Sequence, residues 1–256
     1  MDVYWFEQTQ ATVPSDDHWL SANEARFLRG MRFPRRRADW MLGRWTAKNA
    51  LAICLGLSVE PSALREIEIR AAASGAPEAF LGNRPAAVTL SLSHRDGFAA
   101  CALAPSRVAL GCDLETVEPR SEAFAGDYFA TEEQSLVANA SAANRDGLLA
   151  LLWSSKESAL KALRVGLRRD TRTVIVSFSC TPMIQIPLEE FSERQPFPAD
   201  RFSSEARTWS QLQVHTTDGQ SFSGWWMESG GLLRTLVTVV ALNPPVLVSP
   251  GCSLAV

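Results

Sequence analysis

Two carboxylates close an apolar run in "RVALGCDLE": Asp113 and Glu115. Side chains two apart on a strand point the same way, so these two repel unless positive charge stands beside them. About forty residues on, "WSSKESALK" (153–161) sets Glu157 four residues before Lys161 in a helical pattern, the order that favours an ion pair. An isolated pair of this kind is an ordinary surface contact worth about 0.3–0.5 kcal/mol. The helical phase argues for more. Leu149, Leu152, Leu160 and Leu163 mark the buried face, and Glu157 falls at its margin, where a helix can present a carboxylate to a cleft. Lys156 falls among the apolar positions and has to snorkel or find a partner. Should Glu157 meet Asp113 and Glu115, three carboxylates converge with no His or Cys among them. Oxygen donors alone suit Mg²⁺ rather than zinc, and Mg²⁺ leaves positions open for water and phosphate.

A phosphate would also give targets to other residues. "SLSH" (91–94) ends a strand with Ser93 and His94, which together offer a hydroxyl, a ring N–H and backbone amides to an anion. Taken alone, a histidine such as His94 is more often structural, capping a strand or bonding a carbonyl. In "RRRADWMLGRWTAKNALAICLGL", Arg37, Arg44 and Lys48 fall within roughly 40° of one another on a helix, which makes either a solvated face or an anion site. The residues alone lead to a Mg²⁺-dependent enzyme acting on a phosphorylated small molecule.

Elements that could position these groups follow from pattern. Ser21 and Glu24 form a capping-box signature for a short helix over 21–31, and Pro34 starts a longer helix that Gly56 ends. "REIEIR", "AVTLSLSH", "FAACAL" and "RVALGCDLE" read as strands, the last three closely spaced and antiparallel. Residues 121–140 suggest two short helices, the second capped by Thr131; "RDGLLALLWSSKESALKALRVGL" is the strongest helix, closed near Gly166. Strands are expected at 172–180, 210–216, 221–227 and 232–242, with a connecting loop at 183–205. The expected organisation is an N-terminal lobe over 1–110, a C-terminal lobe over 111–242 and a flexible, Pro-interrupted tail over 243–256. Each lobe has helices followed by strands, at a size typical of small domains.

Bulk properties narrow the class. With 256 residues, 46% hydrophobic and 21% charged, the composition is that of a globular chain. A net charge of −3 gives no general pull toward nucleic acid or membrane. Five cysteines without a CxxC pair and three scattered histidines fit neither a zinc module nor a disulfide scaffold. The N-terminus lacks a signal-peptide pattern and no apolar run reaches the roughly 20 residues of a membrane span, so a reduced cytoplasm is the expected setting.

The order and spacing of "GCDLE" and "WSSKESALK", with "SLSH" upstream, resemble the Sfp-type 4′-phosphopantetheinyl transferases, whose pattern is G-x-D-x-E followed by W-x-x-K-E-x-x-x-K. The helix over 37–51 is similar to the R…GR…K-x-A-L helix of bacterial members, and the likeness extends over roughly residues 20–240. The resemblance implies an α+β, pseudodimeric two-lobed fold, each lobe a small antiparallel sheet packed with helices, and coenzyme A in the cleft between them. It implies transfer of the 4′-phosphopantetheine group from CoA to a serine of an apo acyl, peptidyl or polyketide carrier protein, with release of adenosine 3′,5′-bisphosphate. Asp113, Glu115 and Glu157 would hold Mg²⁺, with Glu157 and Lys161 in the chemistry. Ser93, His94, Arg44, Lys48 and Lys161 would contact CoA, with Arg26, Arg29 and Arg32 as further candidates near its 3′-phosphate. A monomer is expected, since the pseudodimer is internal. Ala76 stands where many members carry a cation, which leaves Arg70 or Arg84 to replace it. Phe124, Tyr128 and Phe129 are either a docking patch for the carrier or core. A Mg²⁺-dependent nucleotide pyrophosphate hydrolase and a non-catalytic CoA-binding protein remain as alternatives.

Overall fold

The computed structural model describes residues 2–178, 208–240 and 243–249. In chain order the elements are β1 (Tyr4–Thr9), α1 (Ala22–Arg29), α2 (Pro34–Cys54), α3 (Pro61–Leu64), β2 (Ile67–Ala71), β3 (Pro77–Leu81), β4 (Arg84–Pro85), β5 (Val88–Arg95), β6 (Phe98–Pro105) and β7 (Leu110–Thr116), then α4 (Ala123–Tyr128), α5 (Thr131–Asn139), α6 (Ala142–Ala162), β8 (Val174–Ser177), β9 (Ser210–Thr216), β10 (Ser221–Ser229), β11 (Leu232–Thr238) and β12 (Val246–Val248). They form a mixed α+β fold of three small sheets, β12-β1-β6-β5, β2-β3-β4 and β7-β11-β10-β9-β8, antiparallel except where β12 joins β1.

Local chemistry sets the helix ends. Ser21 and Glu24 make the reciprocal capping box of α1, with Glu24 N–H donating to Ser21 Oγ at 3.2 Å and Ser21 N–H to Glu24 Oε2 at 3.0 Å. Pro34 begins α2, and Gly56 follows it at φ +64°, a left-handed position that glycine takes without strain. Ala130, not Thr131, occupies the cap position of α5. Ala130 has no side-chain acceptor, so the reciprocal half of the motif remains: Glu133 Oε2 accepts the Ala130 N–H at 2.9 Å.

The two halves repeat the same hydrogen-bonded knot. In the first, Lys48 of α2 is fully buried; it pairs with Glu24 at 2.5 Å and donates to the carbonyls of Trp19 (3.0 Å) and Leu64 (3.2 Å). The other oxygen of Glu24 accepts the Ile69 N–H of β2 at 3.0 Å. In the second, Lys156 of α6 pairs with Glu133 at 2.6 Å and donates to the carbonyls of Thr171 and Val174, while Glu133 accepts the Val176 N–H of β8 at 2.8 Å. Each lysine also lies 5.6 Å from an aromatic ring, Trp19 or Phe129. The sheet order β1-β6-β5 has its counterpart in β7-β11-β10. This is an internal repeat carried by polar geometry, in a sequence whose halves share little else.

Apolar packing follows the same division. One core gathers Phe6, Trp19, Trp45, Leu51 and Ile67; another gathers Phe129, Leu148, Leu152, Leu160 and Trp226; a third, with Trp5, Ala102, Cys112, Trp225 and Leu236, joins the two sheets. Three residues of the expected flexible tail differ from that expectation: β12 adds to β1 in parallel, Tyr4 opposite Val246, because β1 otherwise presents an open edge, and Val248 is buried there. The expected loop at 183–205, and residues 179–180 and 241–242 of two expected strands, lie outside the described residues. Cys54, Cys101 and Cys112 are unpaired. No helix among the described residues is long and apolar enough to cross a membrane.

Breaking a buried ion pair strands the remaining charge, which typically costs about 3–5 kcal/mol. Lys48→Met is expected to lower the unfolding free energy by about that much, and Lys156→Met likewise, read from urea midpoints at unchanged m. Losses below about 1 kcal/mol would show that the knots do not hold the halves together.

Candidate functional site

The site forms where β5 meets β7, each an outer strand of its own sheet. No backbone ladder links them. The serines of "SLSH" do so instead: Ser91 Oγ accepts the Cys112 N–H at 2.9 Å, and Ser93 Oγ accepts the Leu114 N–H at 3.1 Å. Strand alternation sends Ser91 and Ser93 to β7 while Leu90 packs into the first core.

Behind β7 lies α6, at very close range. A Cβ built on Gly111 would sit 1.7 Å from the Ser158 carbonyl oxygen and 2.7 Å from the Ala162 nitrogen. The glycine of "GCDLE" is therefore a packing requirement. It lets α6 bring three side chains to β7. Ser154 Oγ donates to Asp113 Oδ2 at 2.9 Å, and Lys161 Nζ donates to Asp113 Oδ1 at 2.7 Å and to the Cys112 carbonyl at 2.9 Å. Glu157 stands between them, with Lys161 Nζ 4.0 Å from its Oε2. Ser93 Oγ donates to Asp113 Oδ1 at 2.8 Å, so one carboxylate joins both sheets and the helix. Ser154 also lies 2.8 Å from Thr235 of β11, the residue paired with Asp113 across the sheet.

Asp113, Glu115, Glu157, Lys161, Ser93 and His94 line one cavity of about 450 Å³, together with Arg95, Arg120 and the aromatic rings of Phe124, Tyr128 and Trp153. Ser93 and His94 also line a second cavity of about 660 Å³, which contains Arg35, Arg36, Arg44 and Arg70 beside Phe27, Phe33 and Trp40. The two together make a cleft with carboxylates at one end and arginines with aromatics at the other.

Charge in this cleft is strained. Burial, with Asp113 and Glu115 adding repulsion, raises the Glu157 carboxyl to about 7 against the partial relief of Lys161 and Arg95. Burial also raises Glu115, with Arg120 and Arg95 opposing. For Lys161, burial works against the charge, but Asp113, Cys112 and Glu157 outweigh it and hold the ammonium above its ordinary pKa. Desolvation lowers His94, with Lys161 adding to that effect and Asp39 and Asp113 opposing it.

Not every expected site residue arrives. The Arg37/Arg44/Lys48 stripe splits three ways. Lys48 is held in its buried knot, its ammonium partnered by Glu24 and two carbonyls, and lines neither cavity. Arg37 donates to the Leu28 carbonyl at 2.8 Å. Arg44 alone faces the cleft, its guanidinium 4.8 Å from the Trp40 ring, with a buried Nε that has no hydrogen-bond partner among the described residues. Arg26, Arg29 and Arg32 are exposed and do not line the cavity. Of the two replacements for a cation at Ala76, Arg70 lines the cavity, stacked 4.0 Å from the Phe80 ring and paired with Glu68 at 2.9 Å; Arg84 does not. Phe129 is wholly buried and belongs to the core, whereas Phe124 and Tyr128 reach the cleft and pack on Trp153. Ser154, Thr235, Arg95 and Arg120 were not anticipated. Ser154 had a signal, one turn before Ser158 on the face of α6 that carries Lys161; the arginines had none.

The donor set is chemically right for a hard cation. Three carboxylates share one cavity, and Glu157 carries a repulsion that positive charge would relieve. Among the described residues no three His, Cys, Asp or Glu side chains are gathered closely enough to hold a metal. Asp113 is engaged by Ser93, Ser154 and Lys161, and Glu115 by Arg95 (3.2 Å) and Arg120 (2.8 Å).

Carboxylates with a lysine at one end of the cleft and arginines at the other are suited to a phosphorylated ligand. Residues 109–228, a little under half of the chain, are similar to the 4′-phosphopantetheinyl transferase superfamily. The matched span contains Asp113, Glu115, Glu157 and Lys161. No curated protein matches the chain.

Two outcomes follow from this geometry. Gly111→Ala is expected to displace α6 from β7 and to destabilise the fold by several kcal/mol, at the upper end of overpacking costs of about 1–3 kcal/mol; a thermal midpoint within 2–3 °C of the parent, about 1 kcal/mol or less in a chain of this size, would contradict the close approach. The second concerns pH. Glu157 keeps its proton in the fold up to about pH 7, whereas the unfolded chain releases it near the ordinary 4.5. The folded state thus binds the extra proton, and this group makes stability fall as pH rises across that interval. In the metal-free protein Glu157→Gln is expected to flatten this decline in urea unfolding between pH 4.5 and 7.5; an unchanged slope would contradict the raised carboxyl.

Proposed function

We propose that the protein is an Sfp-type 4′-phosphopantetheinyl transferase that moves the 4′-phosphopantetheine group of CoA to a serine of an apo carrier protein. The observation that carries this reading is the shared cavity of Asp113, Glu115, Glu157 and Lys161, inside the matched span and continuous with the arginine-lined cavity through Ser93 and His94.

A long phosphorylated substrate suits such a cleft. Its pyrophosphate would lie beside Lys161 and His94. Arg44 and Arg70 would take the terminal phosphate: planar guanidinium forks suit phosphate, and Arg70 is held in place by Phe80 and Glu68. Asp113, Glu115 and Glu157 would hold Mg²⁺, which would supply neutralisation of the pyrophosphate. In the reaction the serine hydroxyl of the carrier forms a bond to the β-phosphorus of CoA, and the bond from that phosphorus to the bridging oxygen breaks, releasing adenosine 3′,5′-bisphosphate. Glu157, four residues before Lys161 on the same face of α6, takes the serine proton. Lys161, kept cationic by Asp113, stabilises charge on the leaving oxygen. Asp113, locked by Ser93, Ser154 and Lys161, fixes the lysine rather than moving a proton. Phe124, Tyr128 and Trp153 offer an apolar rim next to the carboxylates, and a helix of the carrier would dock there.

The test is mass spectrometry of apo carriers of the fatty-acid, polyketide and nonribosomal-peptide types incubated with the protein, CoA and Mg²⁺. A 4′-phosphopantetheine mass gain on the carrier serine is expected, and Glu157→Gln should slow it by about 10²–10⁴. Hydrolysis of CoA without a carrier, or full turnover by Glu157→Gln, would overturn the reading.

A further inference from the structure

Glu115 is neutralised by two arginines that differ in how they are held. Arg95 Nη2 lies 3.2 Å from Glu115 Oε1 and is anchored elsewhere, to Glu118 at 2.5 Å and, through Nε, to Asp96 at 3.3 Å. Arg120 has no comparable anchor. Its Nη2 lies 2.8 Å from the same Glu115 oxygen and its Nη1 3.5 Å from Glu118. Both Nε and Nη2 are buried without an aligned hydrogen bond among the described residues, and the guanidinium rests over the Phe124 ring at 5.3 Å. Arg120 is therefore held by charge and ring contact rather than by directional bonds, which are what make a guanidinium–carboxylate pair strong.

A divalent cation at this site would need the same carboxylate. Arg95 and Arg120 already share one Glu115 oxygen, and a third positive group on it would add repulsion in a half-buried cavity. Arg95 can stay, fixed by its own carboxylates; Arg120 is the one free to leave. We propose that Arg120 is the exchangeable counter-ion of the cation site: it neutralises Glu115 while no divalent cation is bound, and releases that oxygen when one binds. This inference rests on the cation site proposed above. It assigns Arg120 a positioning role that sets cation affinity, and it accounts for three carboxylates sharing a cavity without already forming a metal cluster.

The experiment is Mn²⁺ binding to the chain of residues 1–256 without CoA, followed by the resonance of free Mn²⁺. Arg120→Gln is expected to bind about tenfold more tightly than the parent, the change that corresponds to losing a competitor worth about 1.4 kcal/mol. Arg120→Lys, which keeps the charge, should stay near the parent, and Glu115→Gln should bind weakly. Equal or weaker binding by Arg120→Gln would overturn the exchange while leaving the cation site intact. Absence of Mn²⁺ binding in both the parent and Arg120→Gln would overturn the cation site and this inference with it. Should Arg120→Gln fail to fold, Mg²⁺ titration of the parent, followed at the arginine side-chain N–H resonances, decides the matter. The Arg120 signal is expected to move with the same midpoint as cation binding, and a signal that stays fixed at saturation would overturn the proposal.

Discussion

The site depends on one buried carboxylate. Asp113 accepts from Ser93 on β5, from Ser154 and Lys161 on α6, and lies on β7, so three elements meet at one side chain. Its burial is tolerable only because every donor is in place; a carboxylate left with half its partners would be costly at this depth. The same contacts fix where Lys161 and Glu157 stand, since both ride on a helix whose distance from β7 is set by Gly111 and whose rotation is set by Ser154. Chemistry and architecture are thus the same set of bonds.

That junction also explains why the two sheets stay separate. β5 and β7 approach as edges, yet serine hydroxyls rather than a backbone ladder satisfy the β7 amides. A continuous ladder would have drawn the strands together and closed the space in which His94, Arg95 and the carboxylates face one another. The two buried lysine–glutamate knots do the corresponding work at the far side of each half: each ties a capping-box glutamate and a central-helix lysine to the first strand that follows. The candidate cleft lies where the two sheets meet, at β5 and β7.

Much of this was legible in the sequence, for identifiable reasons. Strand alternation foretold that Asp113 and Glu115 share a side, helical phase placed Glu157 at the margin of the buried face, and the Ser21–Glu24 capping box formed as expected. The surroundings of Lys48 were not legible. Its helical position beside Arg44 suggested a cationic stripe, but Glu24, distant in sequence, is close in space and takes the charge into the core. The choice between docking patch and core was open for three aromatics in six residues, which look alike in sequence; the ring under Lys156, Phe129, is wholly buried. Arg95 and Arg120 left no trace, because an arginine that neutralises a carboxylate from another strand or loop has no spacing signature. Nor did the parallel strand β12, whose partner lies at the other end of the chain.

The most direct test of the central claim is a double-mutant cycle between Ser93→Ala and Asp113→Asn, read by urea unfolding. If Asp113 is the hub, the two changes are coupled by about 0.5–3 kcal/mol, because removing the hydroxyl costs little once the carboxylate it serves is gone. Additivity within about 0.3–0.5 kcal/mol would mean that β5 and β7 are joined without this bond, and the account of how the site is assembled would be wrong.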